Sequence, residues 1–293
     1  MSLNRRDFIK LATVGGAVFS SGLAGMHAFA KTGKQDAFYF VQLSDTHWGF
    51  DNRKFNADPQ GTLPKAVALV NELDPQPDFV VFTGDLTHTT DDAQLRRKRM
   101  AEFQEIAGKL KTGNVRFMPG EHDASLDGGV AYKEFFGDLN YTFDHKGIHF
   151  IALDNVSDPR ARLGDSQLAW LKEDLRQRDA NAPIVVLTHR PLFDLAPQWG
   201  WATQDGSKAM ALLMPYSNVT VFYGHIHQEH HHNTGHISHH SAKSLIFPLP
   251  APGSVDKKHK IAWDAEQPYR GLGVRSIQAD MPGAAFELSE TSL

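Results

Sequence analysis

Ala37-Phe38-Tyr39-Phe40-Val41-Gln42-Leu43-Ser44-Asp45-Thr46-His47 is an apolar run that ends in a carboxylate, a hydroxyl and an imidazole. Its first seven residues read as a buried strand, closing at Ser44-Asp45. Downstream, Leu63 to Leu73 carries apolar residues at helical spacing (Val67, Leu69, Val70, Leu73) and stops at Asp74-Pro75. Phe79-Val80-Val81-Phe82 is a second strand, closed by Gly84-Asp85. Asp91 to Leu110 predicts a charged amphipathic helix with Leu95, Met100, Phe103, Ile106 and Leu110 facing inward. Val115-Arg116-Phe117-Met118 is a third strand, closed by Pro119-Gly120. Strand, helix, strand, helix, strand argues a parallel α/β arrangement.

The pattern then changes. Tyr141 to Asp144 and Ile148 to Leu153 flank a Lys146-Gly147 turn and predict an antiparallel hairpin. Gly164 to Asp179 is a helix with Leu168, Leu171 and Leu175 on one stripe. Pro183 to Leu187 is a strand that ends at Thr188-His189, and Val219 to Tyr223 is another that ends at Gly224-His225. The tail from Ile237 to Phe286 reads as short strands broken by Pro248, Pro250, Pro252 and Pro268. No repeat or low-complexity linker divides residues 31–293, which are expected to form one domain.

Five strand ends thus deliver Asp45-Thr46-His47, Gly84-Asp85, Gly120-Glu121-His122-Asp123, Thr188-His189 and Gly224-His225-Ile226-His227. In an open α/β sheet, function collects at the carboxyl ends of the strands. Asp45 and His47 are two apart, so an extended turn would aim both at one ion, and His225 and His227 repeat that spacing. The glycine before Asp85 allows close backbone approach. Carboxylates and imidazoles in this number suffice for two adjacent ions, which can clamp a phosphoryl group and generate the hydroxide that attacks it. With no cysteine in the chain, nitrogen and oxygen ligands suit iron, manganese or zinc.

The ordered series D-x-H, G-D, G-[NE]-H-D, T-H and G-H-x-H resembles the calcineurin-like metallophosphoesterase superfamily, over residues 45 to 227. The resemblance implies a four-layer α/β/β/α sandwich. It also implies a first ion held by Asp45, His47 and His227, with Asp85 bridging. His189 and His225, with Glu121, would hold the second. His122, with Asp123 beside it, would stabilise the transition state or protonate the leaving oxygen, its imidazole biased toward charge by the neighbouring carboxylate. The implied activity is in-line attack of a bridging hydroxide on a small-molecule phosphoester. Diesters, including cyclic nucleotides, are favoured over monoesters, because a poorer leaving group draws most on His122. Hydrolysis of a pyrophosphate or phospholipid bond by the same centre is a second reading, and a non-catalytic histidine-rich metal-binding protein a third.

Most of the superfamily carries Asn where this chain has Glu121. Two divalent ions with Asp45 and Asp85 sum to +2, and Glu121 lowers this to +1. One trivalent ion, such as Fe(III), restores the balance. Two other readings stay open: Glu121 swings away and weakens the second site, or its charge raises the pKa of the bridging water and slows the enzyme.

Composition narrows the classes further. The formal net charge is -4 over 293 residues. Without residues 1–30, which hold Arg5, Arg6, Lys10 and Asp7, 27 basic residues face 33 acidic ones. An acidic balance argues against binding a nucleic-acid polymer. Asn4-Arg5-Arg6-Asp7-Phe8-Ile9-Lys10, an uncharged stretch from Leu11 to Met26 and Ala28-Phe29-Ala30 have the layout of a twin-arginine signal peptide. The expectation is recognition by the twin-arginine export machinery, cleavage near Lys31, a periplasmic mature protein and no stable membrane span after cleavage.

Other residues invite readings of their own. Eight of the sixteen histidines lie between 225 and 240. His230, His231, His232, His236, His239 and His240 are either a metal-loading tract or ordinary positions of a strand that runs from His236 to Phe247 after an Asn233-Thr234-Gly235 turn. His88 is either behind a ligand or exposed, and His145 and His149 are structural. Trp199 and Trp201 either stack on a substrate ring or pack their loop. Specificity is expected in loops 51–61, 86–93, 124–140 and 190–206.

Overall fold

The structure is a computed structural model that describes residues 18–20 and 37–293. The expected leader, residues 1–30, lies outside the described residues except for a short strand, β1 (Val18–Ser20). β2 (Phe38–Leu43), α1 (Thr62–Asn71), β3 (Phe79–Thr83), α2 (Ala93–Ala107) and β4 (Val115–Met118) follow, with the three long strands parallel and adjacent. Two short helices, α3 (Glu121–Ala124) and α4 (Val130–Phe136), lead to the hairpin β5 (Tyr141–His145) and β6 (Ile148–Ala152). Then come α5 (Gly164–Leu175), β7 (Ile184–Leu187), α6 (Gly206–Leu213), β8 (Val219–Tyr223), β9 (His230–Thr234), β10 (Ile237–Ser241), β11 (Gly273–Ala279) and β12 (Glu287–Ser292). Two six-stranded sheets result, ordered β1-β12-β11-β2-β3-β4 and β5-β6-β7-β8-β10-β9.

Side-chain alternation builds the layers. Phe38 and Phe40 of β2, with Phe79 and Val81 of β3, join Phe150 of β6, Val185 and Leu187 of β7 and Phe222 of β8 in the core between the sheets. The opposite faces of β2 and β3 (Val41, Leu43, Val80, Phe82) pack on α1 and α2 through Val67, Val70, Met100 and Phe103. The outer face of the second sheet (Ile151, Ile184, Val186, Val221) packs on α5 and α6 through Leu168, Leu171, Ala209 and Leu213. Both faces of each central strand are therefore apolar, which is why the runs read as continuous hydrophobic stretches. The result is a four-layer α/β/β/α sandwich.

Several expectations need correction. Helix α2 begins at Ala93, because Asp92 caps it by accepting from the backbone of Gln94 and Leu95. Leu95 then lies in the first turn and is 36% exposed, rather than facing inward. The strand expected to run to Phe247 ends at Ser241, and among the described residues none follows until β11. β11 pairs antiparallel with β2, so the end of the chain completes the first sheet.

Candidate metal centre

The carboxyl ends of β2, β3, β4, β7 and β8 open on one edge of the sandwich, and the five motifs meet there. Backbone hydrogen bonds stitch their loops together. Asp45 N donates to Gly84 O at 3.1 Å, His47 N to Asp85 O at 2.8 Å and Gly224 N to His189 O at 3.0 Å. Two glycines are required by this proximity. A Cβ on Gly84 (φ +96°) would lie 2.3 Å from His189 Nδ1, and one on Gly224 would lie 2.2 Å from Ser44 Oγ. The turns themselves are not extended, as the two-residue spacing suggested. Asp45 (φ 53°), His47 (φ 44°), Asp85 (φ 49°), His225 (φ 68°) and His227 (φ 55°) all adopt left-handed backbone. Each such residue costs on the order of 1 kcal/mol or more, and the surrounding sheets must hold it there. Alternate left-handed residues aim both side chains of a D-x-H or H-x-H pair inward.

Four clusters of candidate ligands result among the described residues. Two of them, His47 with His88 and His122 and Asp85 with Glu121 and His122, draw in His122; the other two contain only residues expected to hold metal. Asp45, His47, Asp85 and His227 form one, and Glu121, His189 and His225 the other; within each, the donor atoms lie within 4.8 Å of one another. Asp85 joins them. Its Oδ2 is 3.4 Å from His47 Nε2 and 3.5 Å from His189 Nε2, while its Oδ1 accepts from His122 N at 2.9 Å. Asp45 Oδ1 is 3.3 Å from His227 Nε2. Glu121 has not swung away: Oε2 is 2.9 Å from His189 Nε2 and Oε1 is 2.9 Å from His225 Nδ1. Yet buried Glu121 Oε2, His189 Nε2 and His225 Nδ1 have no aligned hydrogen-bond partner. Close but misaligned nitrogen and oxygen atoms suit lone pairs that converge on a common cation better than they suit hydrogen bonds.

The tautomers agree with that fit. His189 Nδ1 is 2.7 Å from Thr83 O, and His227 Nδ1 is 2.7 Å from Phe247 O. A carbonyl only accepts, so each Nδ1 carries a proton, and in the neutral ring each Nε2 is left to present a lone pair to the site, the arrangement of metal-binding histidines. Burial opposes a charge on His189, but Asp85 and Glu121 outweigh it and hold its pKa well above the imidazole range, so Nε2 holds a proton there that a bound cation would replace. Burial likewise opposes a charge on Glu121, and His225 and His189 overcome it, holding its carboxyl well below the usual range. His47 is driven well below its ordinary value by burial first, then by His122, His227 and His88. The three inward-facing carboxylates call for cations, and the donor set fits a pair of metal ions without thiolate ligands.

His122 sits at the mouth, 26% exposed in its side chain, with Nε2 4.0 Å from Asp85 Oδ2. Its Nδ1 accepts from Thr89 N at 3.2 Å, so a neutral ring carries its proton on Nε2, toward the pocket. The expected support from Asp123 is absent. Asp123 is buried and turned away, accepting at Oδ1 from Thr87 N and Thr87 Oγ1 and at Oδ2 from Leu86 N and Gly120 N. Burial and then the nearby Asp85 charge push its pKa up to about 6, against these donors. Its side chain clamps the loop after β3 to the loop after β4. The reason is helix geometry: Asp123 falls in the first turn of α3, one residue past His122 and about 100° around the axis from it, and so faces the backbone of Leu86, Thr87 and Gly120.

A cavity of ≈ 230 Å³ opens above the ligand groups, with Trp201, His88, Phe247, Leu249, Lys258, His259 and Lys260 among its walls. Only Trp201 and His88 come from loops expected to carry specificity. Residues 247–260 give no periodic signal in the sequence, because they form irregular chain rich in Pro and Lys. His88 stacks on His122 with centroids 5.1 Å apart and places Nδ1 3.4 Å from His47 Nδ1. Trp201 is buried against Trp199, edge to face at 4.7 Å, and still reaches the cavity wall. The histidine-rich hairpin has a structural role. His239 and His240 are buried strand positions, His232 stacks on Phe193 at 3.9 Å, and His230 Nδ1 meets Tyr223 OH at 2.9 Å. His149 links Asp144 and Asp174, and His145 faces Asp78.

The calcineurin-like phosphoesterase family profile matches residues 38–229. The chain is 24% identical over 245 residues to a probable cyclic nucleotide phosphodiesterase of Rhodopseudomonas palustris, covering 75% of this chain and 84% of that one. It is 26% identical to a serine/threonine-protein phosphatase of Mus musculus, covering 65% of this chain and 70% of that one. Its fold is similar to that of a purple acid phosphatase from yellow lupin seeds, with a TM-score of 0.65 and 14% identity over 89% of this chain and 52% of that one. A dimetal phosphatase from Danio rerio superposes with a TM-score of 0.58 and 13% identity, over 86% of this chain and 98% of that one.

Proposed function

Because the chain belongs to the calcineurin-like phosphoesterase family and is a hydrolase of phosphoric esters, we propose that it cleaves phosphodiesters, cyclic nucleotides among them, in preference to monoesters. The observation that carries this reading is the shared carboxylate. Asp85 Oδ2 stands between His47 Nε2 and His189 Nε2 at 3.4 and 3.5 Å, beneath a cavity with Trp201, Phe247 and Leu249 in its walls. Apolar wall beside the centre gives room to a second ester substituent, which a monoester lacks. Relatives named as cyclic nucleotide phosphodiesterases and as a probable glycerophosphodiester phosphodiesterase support the same class.

The residues divide the work. Asp45, His47, His227 and Asp85 would hold one ion, and Glu121, His189, His225 and Asp85 the other. When bound, such a pair supplies charge neutralisation at the reacting phosphoryl group and a potent nucleophile at neutral pH. His122, held by Thr89 N, offers its Nε2 proton to the departing oxygen or to a phosphoryl oxygen. Asp123 positions both loops and touches neither substrate nor His122. Glu121 makes the second site more anionic than an amide would, and favours a trivalent ion such as Fe(III) there. Metal analysis of natively exported protein that finds only divalent ions overturns that assignment.

The proposal extends to the ends of the chain. Residues 1–30 are a twin-arginine leader, residues 31–293 are the exported domain, and the protein acts in the periplasm. Among the described residues, no helix is long and apolar enough to cross a membrane. The functional test is hydrolysis of bis-p-nitrophenyl phosphate beside p-nitrophenyl phosphate, by mature protein loaded in turn with manganese, iron and zinc. Turnover of the diester above the monoester, lost in Asp85→Ala, is the expected result. Turnover of the monoester alone makes the protein a phosphatase and overturns the diester reading.

A further inference from the structure

The segment 247–260 closes the pocket without supplying any of the seven candidate ligands. It contributes Phe247, Leu249, Lys258, His259 and Lys260 to the wall and lies past residue 229, where the family match ends. Lys258 Nζ is 6.0 Å from the Trp201 ring centroid. Lys260 Nζ is 5.1 Å from the Phe247 ring centroid, 5.8 Å from that of Phe55 and 6.0 Å from that of Phe50. Aromatic faces attract these ammonium groups without neutralising them. Among the described residues the lysines in salt bridges are Lys98, Lys146 and Lys208, so Lys258 and Lys260 make no salt bridge there, although the Glu121 charge reaches Lys258 through space.

Charge balance gives this pair a purpose. Asp45, Asp85 and Glu121 contribute three negative charges to the centre. Two divalent ions bring the sum to +1, and one trivalent ion brings it to +2. A simple diester carries one negative charge, which balances the first sum and leaves the second at +1. Two more ammonium groups on the same small cavity add to the positive charge, and a singly charged substrate leaves that excess unbalanced.

Resting on the phosphoesterase reading above, we propose that the preferred phosphodiester substrate carries a second phosphoryl group beside the scissile one, that Lys258 and Lys260 bind it, and that a cyclic mononucleotide, which lacks this group, is cleaved less well. Trp201 and Phe247 line the cavity beside the two lysines and hold them in place through their faces. The lysines are specificity determinants: they select among phosphoesters by the charge next to the reacting phosphorus.

The test uses mature, metal-loaded protein and two inhibitors of bis-p-nitrophenyl phosphate hydrolysis, inorganic phosphate and methylenediphosphonate. Three forms are compared: wild type, Lys258→Ala with Lys260→Ala, and Lys258→Arg with Lys260→Arg. Metal content is checked after each titration, so chelation is separated from binding. In the alanine form, inhibition by methylenediphosphonate weakens about tenfold or more, the value of losing a charge-assisted contact. Inhibition by phosphate changes less than about twofold, and the arginine form keeps the wild-type ratio. Equal weakening of both inhibitors means that the lysines grip the reacting phosphoryl group itself, and overturns the proposal. No change in either inhibitor also overturns it. Wild-type protein that fails to turn over the reporter counts separately against the diester preference proposed above; calorimetric titration of the same two inhibitors then tests the lysines without turnover.

Discussion

Replacing Asp123 with Asn separates a clamp from a catalytic partner. The carboxylate accepts four hydrogen bonds, two at each oxygen, from Thr87 N at 2.8 Å, Thr87 Oγ1 at 2.9 Å, Leu86 N at 2.9 Å and Gly120 N at 2.9 Å. An amide keeps one acceptor oxygen and turns the other into a donor. The oxygen that stays can satisfy Thr87, but the new NH₂ then faces the N–H groups of Leu86 and Gly120. Two charge-assisted bonds are lost, each worth about 1.5–3 kcal/mol, and two buried donors are stranded. Removing a buried charge that stands near Asp85 offsets part of this, so the net loss should be about 3 kcal/mol. The assay is equilibrium denaturation in urea, read as a fall in midpoint at constant slope. Turnover should fall too, because Asp85 rides on the loop that Asp123 holds. A variant with unchanged midpoint but a shifted pH profile of kcat would refute the reasoning, since it would mean that Asp123 acts on His122 directly.

Gly84→Ala should lower bound metal and stability together, because its Cβ would meet His189 Nδ1 at 2.3 Å with φ at +96°; metal analysis after dialysis and a thermal melt check both. Chelation should destabilise the protein, because the carboxylates of Asp45, Asp85 and Glu121 lose their counter-ions. At a free metal concentration of 100 times Kd, one site contributes about 2.7 kcal/mol, so Tm should rise with metal concentration. His239 and His240 give an acid limb. Burial drives their pKa values down to about 3 and about 2, below the 6.5 of the unfolded chain. The unfolded state therefore binds more protons below pH 6.5, and stability is full above that value and falls as pH drops, by up to about 1.4 kcal/mol per pH unit for each ring. His239→Leu should flatten the loss measured between pH 6.5 and pH 5, and an unchanged slope would count against the burial argument.

Much of the site is legible in the sequence, for a definite reason. A strand that crosses the middle of a sandwich must be apolar on both faces, so its end is marked by the first polar residues after the run. Asp45, Asp85, His189 and His225 each announce such an end. Their convergence follows from parallel strands whose carboxyl ends share one edge. The parts that are not legible depend on contacts between residues distant in sequence. That Asp123 faces Thr87 and not His122 depends on the direction of α3. That β11 pairs with β2 depends on which sheet edge is free. The wall built from Phe247, Lys258 and Lys260 lies in irregular chain, where composition carries no period to read.

The sequence by itself determined the parallel α/β strands and the donor types, because burial imposes apolar periodicity and ligand chemistry needs carboxylate and imidazole; the four-layer order was implied by the family resemblance. Only the tertiary structure decided the backbone handedness at Asp45, His47, Asp85, His225 and His227. It alone also set the proton positions on His189, His227 and His122 and placed Lys258 and Lys260 above the centre. Each of these is fixed by a partner supplied from elsewhere in the chain: a carbonyl, a neighbouring loop or an aromatic face.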